Sequence, residues 1–198
     1  MSPLLRDAGH EVRAPDLEMR DASVGIDDHA QQVIDVLGDL HDVVLVGHSY
    51  AGLPIAVVAD RIPERLARVV YLDAFAPSDG DSGVSQRPDL VDWIVPLARN
   101  GLLPPIPPEQ VGADEADYEL LRSGLTTTPL RCWTDPVRLT GAGERVPRTY
   151  IWCLRSGYGK IARRLREDPT WDVRELDTKH MATYTMPNEL AALLLELA

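Results

Sequence analysis

Cysteine is scarce: Cys132 and Cys153 are the only two in 198 residues. They show no metal-ligand spacing and cannot make a disulfide framework. Cys153 ends an apolar run, so a buried free thiol and a reducing compartment are the expectation. Basic side chains are also in deficit, 20 Lys and Arg against 31 Asp and Glu, for a net charge of −11. That balance speaks against a nucleic-acid or anionic-membrane partner. No apolar run approaches the ~18–20 residues needed to span a bilayer. Arg6 and Asp7 interrupt the only apolar start, so no secretion signal is read and a cytoplasmic location is expected. Internal repeats and low-complexity runs are lacking too.

What the sequence does have is 44% hydrophobic residues, ample for one globular domain over 1–198. Its organising stretch is Val43-Val44-Leu45-Val46-Gly47-His48-Ser49-Tyr50-Ala51-Gly52. Four aliphatic residues in a row read as a strand buried on both faces. Gly47-x-Ser49-x-Ala51 then nearly matches the pattern that holds a serine on a sharp strand-to-helix turn, where small neighbours are needed to avoid collision. Such a turn lifts Ser49 Oγ clear of the sheet and aims the Tyr50 N–H at a developing oxyanion. An ordinary serine N-cap is the plainer reading of the same residues.

Taken in order, Met1 to Ala8 reads as a helix end stopped by Gly9, and His10 to Ala14 as a short strand. A helix capped by Asp27 runs to Leu40, and the helix after the serine ends near Arg61. Arg68 to Leu72 is the next buried strand, with Asp73 at its end. Thr149 to Cys153 and Trp171 to Leu176 are further strands, with helices over Tyr158–Glu167 and Asn188–Leu197. The alternation predicts a mostly parallel α/β sheet flanked by helices, whose strand C-termini form one functional rim. Between about residues 85 and 145 the pattern becomes proline-rich, with no clear strand, and reads as a cap over the sheet edge. Trp93 and Trp133, among its apolar residues, are candidate substrate contacts, though packing onto the sheet accounts for most such side chains. His48, beside the serine, is a further candidate contact.

A serine hydroxyl needs a base, and histidine is the usual one near neutral pH. His10, His29 and His41 lie near an early strand or on or after a surface helix, and His48 points away from its neighbour on a sharp turn. His180 follows the last strand on the functional rim, which makes it the candidate base. An acid must orient its imidazole. No carboxylate follows the Thr149–Cys153 strand, where Leu154, Arg155, Ser156 and Gly157 stand. Asp73, one strand over, is the best candidate; Asp177 is near in sequence but approaches awkwardly from the same loop.

With these residues in hand the chain resembles the α/β-hydrolase superfamily, and within it the bacterial esterases related to plant methylesterases and hydroxynitrile lyases. The resemblance rests on Val44–Gly52, Val70–Pro77, Thr128-Pro129-Leu130, Trp171–Leu176, His180-Met181-Ala182 and Pro187–Leu190. It implies a cofactor-free fold with a helical cap, acting on small ester-like substrates; no metal site is read. It also implies Ser49 as nucleophile, His180 as base and the Tyr50 N–H as oxyanion donor. Two departures stand out. Such proteins begin with a further strand ending in a His-Gly motif, whose loop supplies a second donor; by that pattern the chain is short by about twenty residues. A second copy of the chain could then complete the sheet. The family's acid position corresponds to Ser156. A lyase, a cyclase, a ligand-binding relative and an inactive fragment are the alternatives to an esterase.

Overall fold

The strands that carry the rim owe their pairing to alternating apolar side chains that serve two separate cores. In the computed structural model, residues 1–107, 119, 122 and 124–198 are described. Helix α1 spans Ser2–Asp7, α2 Ile26–Leu37, β1 Val43–His48, α3 Gly52–Arg61 and β2 Leu66–Leu72. After the excursion come β5 (Arg148–Cys153), a helix over Gly159–Arg166, β6 (Trp171–Leu176), a short turn of helix over Ala182–Thr185 and a closing helix over Pro187–Glu196. The four long strands form one sheet in the order β1-β2-β5-β6, every neighbouring pair parallel. Register pairs Val46 with Val70, Tyr71 with Tyr150 and Tyr150 with Val173.

Because strand side chains alternate, Val69 and Tyr71 face the core under α2, α3 and the Gly159–Arg166 helix. Val70 and Leu72 face the second core, with Ile151, Leu190 and Leu194. Helix α3 is apolar nearly all round, and every residue from Gly52 to Ala59 is buried. Fully burying Leu53, Ile55, Val57 and Val58 stabilises the fold by about 1.5–3 kcal/mol each relative to exposure. That helix fixes where the turn before it must sit.

Several local expectations are corrected. His10–Ala14 forms no strand; Arg13 instead reaches the carbonyls of Val36 and Leu37 (2.7 and 3.4 Å), a side-chain tether in place of a ladder. Helix α2 starts two residues earlier than read, with Gly25 in place of Asp27 as N-cap and its N–H donating to Asp28 Oδ2 (2.8 Å). Asp27 pairs with Arg61. The helix ends at Leu37, not Leu40, because Gly38 takes φ +53°. Strand β1 is only half-buried at Val43, Val44 and Val46, since among the described strands it pairs with β2 alone.

The excursion does contain strands, β3 (Leu102–Leu103) and β4 (Thr128–Pro129), antiparallel and two residues each, too short for any periodicity to announce them. Its described part also holds short helical turns (α4, Gly83–Gln86; α5, Val91–Ile94; α6, Arg131–Thr134) and 3-10 turns over Pro88–Leu90, Val95–Leu97 and Ala142–Arg145. The middle of the expected cap, 108–118 with 120, 121 and 123, lies outside the described residues. We number the helices after β5 as α7 (Gly159–Arg166), α8 (Ala182–Thr185) and α9 (Pro187–Glu196).

Candidate active site

Ser49 occupies the turn between β1 and α3 with φ +57°, a left-handed conformation unusual for a residue with a side chain. The turn is held from both sides. Ser49 C=O accepts the Phe75 N–H (3.1 Å), and a Cβ built on Gly52 would sit 1.9 Å from the Phe75 carbonyl oxygen. A Cβ on Gly47 would lie 2.8 Å from the Ala51 carbonyl oxygen. Glycine is therefore required at both positions by contact with backbone, which cannot step aside. The tightest approach falls at Gly52, one residue beyond the motif.

The parallel sheet brings Ser49, Asp73 and the loop after β6 to the same edge. His180 Nε2 lies 2.9 Å from Ser49 Oγ, and His180 Nδ1 lies 2.6 Å from Asp73 Oδ2. A carboxylate only accepts, so Nδ1 carries a proton, and in the neutral imidazole Nε2 then accepts from the serine hydroxyl. Asp73 is fully buried and also turns through a positive φ, +43°. Its other oxygen accepts the Ser156 hydroxyl (2.8 Å) and the Cys153 N–H (3.2 Å). Thus Ser156, at the position where the resemblance leads one to expect a carboxylate, donates to a carboxylate arriving from the neighbouring strand. Asp177 is exposed and paired with Arg155 (3.2 Å).

His48 Nε2 donates to the His180 carbonyl (2.9 Å), and the two rings lie 4.5 Å apart. Its role in the structure is to anchor the loop that carries His180. Burial, and then the neighbouring His180, pull the His48 pKa from 6.5 down to about 3. The folded value is below the unfolded one, so the stability this neutral histidine contributes is full above pH ~6.5 and is lost as pH falls toward 3. Allowing for the residue's partial exposure, the loss at pH 5 is about 1–2 kcal/mol. Denaturant unfolding of wild type and His48→Gln, which keeps a donor but cannot titrate, should show a shallower acid slope for the variant. Equal slopes would remove His48 from this account.

The Tyr50 N–H lies in the single 3-10 turn Ser49–Ala51 that leads into α3, among the first amides of a helical segment, which have no intrahelical acceptor. Its side chain is buried, and its hydroxyl lies 2.7 Å from His29 Nδ1. His29 Nε2 must donate to the Glu18 carbonyl (2.8 Å), so Nδ1 accepts from the tyrosine. His29 is fully buried, which corrects its reading as a surface-helix histidine. Trp133 is buried, its ring centroid 6.0 Å from Tyr50 and 5.9 Å from Phe75. Trp93 is partly buried and packs against the same core. Two clefts of about 650 and 570 Å³ lie elsewhere, and neither is lined by Ser49, Asp73 or His180.

Sequence reasoning missed Tyr158, read only as the start of a basic helix. Its ring stacks on His180 (5.1 Å, 7° between planes), and its hydroxyl lies 3.3 Å from Ser49 Oγ. The available signal was position: Ser156-Gly157-Tyr158 follows β5 on the functional rim. Among the described residues no cluster of three or more His, Cys, Asp or Glu could hold a metal ion. No described helix is long and apolar enough to cross a membrane. Both cysteines are buried and unpaired.

The model of the alpha/beta hydrolase family matches residues 1–193. The chain belongs to that family. This α/β hydrolase is 32% identical to a carbendazim hydrolyzing esterase of Nocardioides sp. (strain SG-4G), over 94% of this chain and 88% of that protein. It is 26% identical to methylesterase 9 of Arabidopsis thaliana, over 100% of this chain and 91% of that one. Among solved structures, an extracellular alpha/beta-hydrolase from a Paenibacillus species superposes with TM-score 0.86 at 22% identity, covering 100% and 91% of the two chains. The pyrethroid hydrolase PytH superposes with TM-score 0.77 at 24% identity, covering 98% and 88%.

Proposed function

We propose that this α/β hydrolase is a serine carboxylesterase acting on a small, mostly apolar ester or related acyl compound. Its catalytic triad would be Ser49, His180 and Asp73. The observation that carries the reading is the unbroken hydrogen-bonded chain from Ser49 Oγ through the His180 ring to Asp73. The esterase relatives support the same chemistry.

In this mechanism Ser49 Oγ attacks the ester carbonyl while its proton passes to His180 Nε2. Asp73, dry and unable to move, holds the Nδ1–H tautomer and stabilises the imidazolium. The Tyr50 N–H donates to the oxyanion, whose charge it meets without reorganisation. Collapse expels the alcohol, which takes the proton from His180. Water, deprotonated by the same nitrogen, then releases the acid and restores Ser49. Trp133, packed on Tyr50, is the better placed of the two tryptophans to border the acyl group. The unpaired thiols accord with a cytoplasmic site of action.

A fluorophosphonate probe tests the reading. The folded wild type should take one adduct, located on Ser49 by peptide mass spectrometry, and Ser49→Ala none. A folded wild type that stays unlabelled would sink it. Retained binding of aromatic ligands without an ester burst would favour a lyase of the hydroxynitrile type, like the alpha-hydroxynitrile lyase of Arabidopsis thaliana, 34% identical over 39% of this chain.

A further inference from the structure

From the placement of its hydroxyl and ring we infer that Tyr158 is a further catalytic residue, whose O–H stabilises the charge that Ser49 Oγ carries as the acyl bond forms and breaks. The inference deepens the esterase reading and rests on it.

Hydrogen-bond logic fixes the direction. Ser49 has one hydroxyl proton, and the tautomer set by Asp73 commits it to His180 Nε2. The 3.3 Å contact between Ser49 Oγ and Tyr158 Oη is therefore a donation from tyrosine to serine. The phenol cannot swing away. One ring face lies flat on His180, and the Arg87 guanidinium sits 5.2 Å from the ring centroid. Phe75 meets the ring nearly edge-on at 5.4 Å. Arg87 is itself held by Asp89. Tyr158 is 6% exposed, and burial pushes its pKa to about 12, so it remains a donor throughout any working pH.

Such a donor acts at two moments. During attack the serine proton moves to Nε2 before the new C–O bond is complete, leaving excess negative charge on Oγ. During release of the acid, the C–Oγ bond breaks, its electron pair goes to Oγ, and Oγ recovers a proton from the His180 imidazolium. In both steps Tyr158 keeps its own proton and lends a hydrogen bond in a site largely screened from water, where a fixed donor is worth most. The same stack holds the imidazole plane against rotation.

Tyr158→Phe keeps the ring and removes only the donor. It should lower kcat toward p-nitrophenyl acetate about 10–100-fold with KM changed less than about threefold, and slow fluorophosphonate labelling of Ser49 by a similar factor. Replacing Tyr158 by a fluorinated tyrosine, whose phenol ionises within the assay range, gives a readout that packing alone would not move. Activity should be lost as pH rises through that phenol's ionisation, since a phenolate cannot donate; this arm stands even if the phenylalanine variant folds poorly. Equal labelling rates for wild type and Tyr158→Phe, a loss confined to KM, or an unaltered pH profile in the fluorinated protein would overturn the role of Tyr158 alone. A wild type that takes no label would overturn the esterase reading and this inference together.

Discussion

Ser49→Ala should lower kcat toward a small apolar ester by about 10⁶, His180→Ala by nearly as much, and the double substitution by scarcely more than either. In the proposed mechanism serine and histidine would act as one unit: a hydroxyl is a poor nucleophile without a base, and the base has no proton to take without the hydroxyl. The residual rate of about 10³–10⁴ over water would come from binding and the Tyr50 N–H. Steady-state kinetics on the three folded variants, with circular dichroism melts as a control, read this directly. Losses that add in the double variant would show two residues working independently and contradict the shared step.

Asp73→Asn is expected to lower kcat by about 10³–10⁴ with little change in fold. The amide is nearly isosteric, so the backbone turn at φ +43° and the burial persist. What changes is donor direction. An asparagine NH₂ facing His180 pushes the imidazole proton to Nε2, where it blocks acceptance from Ser49. Ser156→Ala is the comparison, because it removes one of the two donors to Asp73 Oδ1, together with the acceptor of the Tyr158 N–H (3.2 Å), and leaves the Cys153 N–H in place. Its loss should be about tenfold or less. If Ser156→Ala were the more damaging of the pair, the acid would not be acting from the end of β2.

The sheet and the elbow were readable in the chain for definite reasons. A run of valines ahead of Gly47 and Ser49 leaves few alternatives to a strand and sharp turn, and parallel topology then forces Asp73 and the His180 loop to the same edge. Distance along the chain carried the choice of His180, and the missing carboxylate around Ser156 pointed to Asp73. Other features are tertiary and leave no local trace. The clash that requires Gly52 is with a carbonyl 23 residues later. His29 looks like any helix-surface histidine until Tyr50 and Glu18 close over it. Tyr158 gains meaning only once β5 stands between β2 and β6. His10–Ala14 has strand-like composition, but Arg13 ties it to the end of α2. Two-residue strands such as β3 and β4 offer no period to detect.

One hydrogen-bonded chain links Ser49, His180 and a carboxylate at the end of β2. Proton NMR of the folded protein in water tests it most directly, through the far-downfield resonance of a histidine Nδ1–H held against a buried carboxylate. That resonance should be present in wild type and in Ser156→Ala, and lost in both Asp73→Asn and His180→Ala. Its absence from wild type, or its survival in Asp73→Asn, would contradict the account.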